Sequence, residues 1–196
     1  MASQSSIHRS NKTERALLVV DFQNDYFPGG LWTLCGMDAA ADNAARILAA
    51  ARASGDLIVH IRHEFTTNDA PFFKPQSSGA QIHPKVQNLK DEYVVVKRYT
   101  NSYRETNLKD ILDRHGIRQV VICGAMSQNC IDAVTRASFD FGYDCIVIHD
   151  ACATRDLEFD GMPIPAKYVH AAFMAALQFA YAKTLSTDEY LANGKK

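Results

Sequence analysis

Three side chains that together can cleave an acyl–nitrogen bond stand far apart in this chain: Asp21, Lys97 and Cys130. A thiolate attacks a carbonyl, a nearby cation stabilises it, and a carboxylate takes the thiol proton and hands it to the departing amine. Each follows a short apolar run. ALLVV precedes Asp21, VVV precedes Lys97, and VVIC precedes the segment Gly124-Ala125-Met126-Ser127-Gln128-Asn129 leading to Cys130. Cys130 falls where a helix is expected to start, with Ser127 as its N-cap. Free N–H groups, the helix dipole and a neighbouring Lys⁺ are expected to draw such a thiol from about 8.5 toward roughly 3.5–7.5. The other four cysteines read as packing: Cys123 and Cys145 lie inside apolar runs, and Cys35 and Cys152 in loops. An odd cysteine count without an apolar export signal points to a reducing compartment, so a cytoplasmic protein is expected.

The elements that must position these groups follow from the alternation of short apolar runs with longer helical patterns. Strands are expected at 16–20, 57–61, 93–96, 119–123, 145–149 and 184–186. Helices are expected at 38–54, 106–115, 128–141 and 165–182, with a short terminal helix capped by Thr187. Runs buried on both faces imply a mostly parallel sheet. The fold class is therefore α/β, a three-layer α/β/α sandwich with six strands, formed by one domain over residues 15–196 after a polar, disordered lead-in at 1–14. Ligands of such sheets sit beyond the carboxyl ends of the strands, where Asp21 and Lys97 fall.

Composition narrows the partners. The 196 residues are 47% hydrophobic and 22% charged, with Lys+Arg 21 against Asp+Glu 22 and a net charge of −1. That excludes a disordered chain and leaves no basic footprint for nucleic acid or an anionic membrane. The longest apolar stretch, 166–182, is interrupted by Lys167, His170 and Gln178 and reads as a core helix, not a membrane span. A small molecule and further copies of the chain are the expected partners.

The segments ALLVVDFQNDYFPGG, VVVKRYTNSYRETNL and VVICGAMSQNCIDAVTRASFDFGYDCIVIHDACAT, in this order, carry a resemblance that covers nearly the whole chain from residue 16. The sequence resembles the isochorismatase-like cysteine hydrolases, which include nicotinamidases and N-carbamoylsarcosine amidase. The resemblance implies a triad of Asp21 as general base and acid, Lys97 as electrostatic activator and Cys130 as nucleophile. It also implies a cis peptide at Ala125-Met126 and an oxyanion hole made by the Met126 and Cys130 N–H groups. The implied reaction is cofactor-free hydrolysis of a small carboxamide or ureido group through a thioester, by a homodimer or homotetramer. Members that cleave the vinyl ether of isochorismate do not rely on this cysteine, so Cys130 argues for amide chemistry.

Nicotinamidases bind a metal through an Asp-x-His pair after the second strand, where this chain has His60-Ile61-Arg62-His63-Glu64. On a strand His60 and His63 point to opposite faces and cannot chelate together. No metal is expected, and nicotinamide is a less favoured substrate. Asp113 and His115 have metal-pair spacing but fall in the charged last turn of a helix. Gln23, Phe27, His63 and Tyr103 are placed to line the substrate pocket, and the loops at 25–32 and 64–84 to shape it. The rival readings are a catalytically silent binding protein of this fold and a redox-sensing thiol protein.

Overall fold

The computed structural model describes residues 13–193. Residues 1–12 of the expected lead-in lie outside them. Thr13 and Glu14 already belong to the domain: the Glu14 carbonyl accepts from the Arg118 and Gln119 N–H groups at 2.8 and 3.1 Å.

The chain forms strands β1 (Arg15–Val20), β2 (Leu57–His63), β3 (Tyr93–Lys97), β4 (Gln119–Ala125), β5 (Asp144–Ala153), β6 (Leu157–Phe159), β7 (Met162–Ile164) and β8 (Lys183–Leu185). The helices are α1 (Met37–Ser54), α2 (Leu108–Arg114), α3 (Asp132–Asp140), α4 (Ala166–Ala180) and α5 (Thr187–Asn193). Six strands pair in the order β3-β2-β1-β4-β5-β8, all parallel. The expected three-layer α/β/α architecture is what forms.

Alternation along β1 shows how the layers assemble. Leu17 and Val19 pack with Ala40, Ala44, Ile47 and Leu48 of α1 on one face. Ala16, Leu18 and Val20 meet Leu108 and Leu112 of α2, Val134 of α3 and Leu177 of α4 on the other. The period of two sends neighbouring residues into two cores, and both must be apolar. Strand order reverses between β1 and β4, which opens a crevice at their carboxyl ends. Gly124 sits at this point with φ 137°, and a Cβ there would run into the Val20 carbonyl.

Three features depart from the sequence expectations. Strand β5 runs to Ala153, not 149, because the pairing register with β4 jumps from Val147 to Cys152 and the intervening residues bulge out. The Asp150 carboxylate in the bulge accepts from the Thr187 N–H and hydroxyl at 2.8 and 2.7 Å, fastening α5. Next, β6 and β7 form an antiparallel hairpin. Its turn, Asp160-Gly161, has φ of 51° and 72°, the mirror-image turn that Asp-Gly favours. Finally, the segment after β4 opens as a π turn, Ser127–Ile131, before α3. The Ile131 N–H reaches back five residues to the Met126 carbonyl at 3.2 Å.

Among the described residues no helix is long and apolar enough to cross a membrane. Helix α4 is apolar on its outer face as well, with Tyr168 and Phe179 exposed.

Candidate active site

Four side chains meet at the carboxyl edge of the sheet, each placed by a different strand. Asp21 follows β1 directly in a left-handed conformation, φ 54°, held by its N–H to the Ile61 carbonyl at 2.8 Å. A non-glycine residue in that region is strained and persists where surrounding structure dictates it. His63 ends β2, Lys97 ends β3, and Cys130 lies in the π turn after β4. Single π turns inside helices concentrate at functional sites because they re-aim one side chain.

The Lys97 ammonium is the hub and is wholly buried. Its Nζ lies 2.8 Å from Asp21 Oδ2, 3.0 Å from Cys130 Sγ and 3.1 Å from His63 Nδ1. Three partners match the three N–H donors of an ammonium. Burial alone would lower the Lys97 pKa, but Asp21 above all, and then Cys130, hold it above the ordinary lysine value. Burial and the Lys97 charge depress His63 to about 4, so its ring is neutral.

Cys130 corrects the expected thiolate. Burial first, then the Asp21 charge, push the thiol up to about 12, with Lys97 pulling the other way. The thiol is thereby favoured over the thiolate beside Asp21, because the cation that would stabilise a thiolate is already shared with a carboxylate. Ser127 also departs from its expected role as helix cap. Its hydroxyl bonds His170 Nδ1 of α4 at 2.8 Å and the Ala153 carbonyl at 3.4 Å, which ties the Cys130 turn to α4 and β5. The Ala125–Met126 peptide between β4 and this turn is cis.

Of the residues expected to line a pocket, His63 reaches the hub. Gln23 does not line a cavity: it is fully buried, and its amide is spent on backbone. Nε2 donates to the His63 and Ala80 carbonyls at 2.6 and 2.9 Å, and Oε1 accepts from the His63 N–H at 2.7 Å. Phe27 stacks on His83, centroids 3.6 Å apart, and borders a separate crevice with Ser77, Ser78 and Gly79. Tyr103 is buried with its hydroxyl on Ser138 Oγ at 2.7 Å, so it braces α3. Both aromatics have partners inside the protein, which position along the chain could not reveal.

An aromatic wall stands beside the hub instead. Phe65 lies 4.5 Å from the His63 ring, and Phe72 meets Phe65, Tyr26 and Trp32 at 5.4, 5.7 and 4.8 Å. These rings come from the two loops expected to shape the pocket. Asp25 joins those loops, accepting from the Leu31 N–H at 3.2 Å and the Phe73 N–H at 2.7 Å. A cavity of about 310 Å³ opens next to Met126 and Asn129, walled by Trp32, Gln128, Leu157 and Arg155, whose guanidinium lies 4.3 Å over the Trp32 ring. Arg155 escaped the sequence reading, although it follows a strand end as Asp21 does; the bulge in β5 moved that end by four residues.

His60 and His63 occupy opposite faces of β2. His60 faces Glu92 at 3.0 Å, while His63 faces Lys97. Asp113 is taken by Lys109 and Tyr143, both at 2.6 Å. Among the described residues no group of three His, Cys, Asp or Glu side chains converges as a cation site.

A parallel, doubly wound α/β sheet with an Asp–Lys–Cys cluster at its strand-order reversal defines the class of fold, and comparison with known proteins gives its family. Residues 15–189 match the isochorismatase domain. An isochorismatase family protein of Bacillus subtilis, YddQ, is 44% identical over 176 residues, covering 90% of this chain and 98% of its own. A solved structure from Oleispira antarctica named for the isochorismatase hydrolases superposes with a TM-score of 0.89 at 53% identity, covering 95% of this chain and 99% of that one. The maleamate amidohydrolase of Pseudomonas putida is 30% identical over 154 residues, covering 71% and 72% of the two chains. The chain belongs to the isochorismatase family of hydrolases.

Proposed function

We propose that this protein hydrolyses the C–N bond of a small carboxamide through a thioester on Cys130. The observation that carries the reading is the buried chain of contacts in which one ammonium touches a carboxylate at 2.8 Å and a thiol sulfur at 3.0 Å. As sulfur attacks the carbonyl carbon, its proton passes to Asp21, and Lys97 stabilises the charge gathering on sulfur. The carbonyl oxygen becomes an oxyanion held by the Met126 and Cys130 N–H groups. Asp21 returns the proton to the amine as the C–N bond breaks, leaving a thioester and free ammonia. Water then gives a proton to Asp21 and attacks the thioester; the acid leaves and the thiol regains its proton. A thiol near 12 suits this order of events, since it ionises only when a carbonyl is there to receive the electron pair.

Cavity size supports a small substrate, and Arg155 on its wall suits an anionic or carbonyl group remote from the scissile amide. The likeness to maleamate amidohydrolase fits that combination. The test is a panel of small carboxamides, maleamate included, assayed for ammonia and, after rapid quenching, for an acyl adduct on Cys130 by mass spectrometry. Cys130→Ala is expected to abolish both. Ammonia release that survives in Cys130→Ala rules out the thioester route.

A further inference from the structure

Lys97 settles the tautomer of His63. An ammonium nitrogen has no lone pair, so at 3.1 Å it donates and His63 Nδ1 accepts. With the ring neutral, its one proton sits on Nε2. That Nε2 is buried and has no hydrogen-bond partner among the described residues, although His63 is only 8% exposed. An unsatisfied buried donor costs about 1–3 kcal/mol and calls for a reason. His60, three residues earlier, makes the contrast: it presents Nε2 to the Glu92 carboxylate, and what it leaves unpaired is a lone pair on Nδ1, not a proton.

The ring that carries the unpaired N–H is also firmly held. Gln23 clamps both the N–H and the carbonyl of His63, Lys97 fixes one ring edge, and Phe65 flanks the ring. Because Lys97 Nζ touches both His63 Nδ1 and Cys130 Sγ, the ring stands two hydrogen-bond lengths from the nucleophile. Its ring neighbours are Phe65 at 4.5 Å and Phe73 at 6.3 Å, and an aromatic surround of this kind favours a planar molecule.

We infer that His63 Nε2–H is a preformed donor for a hydrogen-bond acceptor on the substrate, selecting planar carboxamides that carry such an acceptor besides the amide. This deepens the amidase reading and rests on it. A bound acceptor removes the desolvation penalty that the empty site carries, whereas an isosteric substrate lacking the acceptor leaves it in place.

Binding separates this inference from the amidase reading, because it is measured without turnover. In the Cys130→Ala protein, dissociation constants are measured by calorimetry for benzamide and the three pyridinecarboxamides, which differ only in the presence and position of a ring nitrogen. At least one pyridine isomer is expected to bind about tenfold tighter than benzamide. Two substitutions divide the ring's duties. His63→Gln places an amide N–H near the Nε2 position and keeps the preference; His63→Asn keeps an acceptor for Lys97 but loses the Nε2 donor and abolishes it. Equal binding of all four amides, binding of none, or a preference that survives His63→Asn overturns the inference. Ammonia release and acyl-adduct formation by the intact protein report on the amidase reading whatever the calorimetry gives.

Discussion

Strand β2 carries two buried polar clusters, one on each face, and they are built to opposite ends. On the α1 face Glu92 accepts from Arg52 Nε and Nη2, at 2.7 and 3.0 Å, together with the Leu89 N–H at 2.8 Å and His60 at 3.0 Å. On the other side, at the sheet edge, Lys97 is saturated but its partners are not. Among the described residues Asp21 Oδ1 accepts no bond from nitrogen or oxygen, and His63 Nε2–H has no acceptor. A cluster whose carboxylate is fully engaged holds a fold together. One that leaves a buried carboxylate oxygen and a buried donor without partners among the described residues keeps polar capacity in reserve, and the surrounding core bears the cost.

Removing the hub tests this contrast most severely. Lys97→Met leaves Asp21 charged and unpaired in a fully buried site, a situation that costs about 3–5 kcal/mol. Denaturant unfolding is expected to show that loss, and amide hydrolysis to fall by about 10²–10³-fold with the electrostatic support of the sulfur gone. Unchanged stability would mean that the Asp21–Lys97 pair contributes nothing to the fold, and the contrast between the two clusters would fail.

Glu92→Gln probes the opposite cluster. It weakens the two-pronged Arg52 contact and the His60 contact, for an expected loss of about 1–3 kcal/mol in unfolding free energy. It leaves kcat/KM for the best amide unchanged, since none of its partners touches Lys97. A large fall in kcat/KM at unchanged stability would break the separation of the two faces and make β2 a conduit between them.

How much of this was legible in the sequence follows from the range of the forces involved. Asp21 and Lys97 were readable because a strand-end position is a local property, fixed by where an apolar run stops. The opposite facing of His60 and His63 was readable for the same reason, from the period of two. The state of the Cys130 thiol was not. A helix start argues for a thiolate, but the dominant influences, burial and the Asp21 carboxylate, are brought in by β1 across the sheet. Gln23 and Tyr103 illustrate another limit, since a polar group near a site in sequence can be consumed by a partner 35 or 40 residues away. Arg155 was hidden by a bulge that lengthened β5, whereas the Asp160-Gly161 hairpin left a readable turn signal between two short apolar segments.

The smallest expected effect separates the two faces by acidity. The folded state holds His63 near 4 against 6.5 for a free histidine, so between those values the unfolded chain binds a proton that the folded chain refuses. Stability therefore falls as pH drops from 6.5 to 4. Glu92 acts lower. Burial alone would raise its pKa, but Arg52, the Leu89 N–H and His60 bring it from 4.5 down to about 2, so its contribution is lost as pH falls through 4.5 toward 2. Burial depresses His60 as well, which adds to the upper window and makes the wild-type slope a composite. The difference between wild type and His63→Gln isolates the site. Denaturant unfolding at pH 7 and pH 4.5 is expected to show His63→Gln losing less stability than wild type, by about 1–2 kcal/mol. Equal losses would mean that His63 is free to protonate in the folded protein. Lys97 would then lack the acceptor that fixes the tautomer, and the N–H proposed to meet substrate would no longer be distinctive.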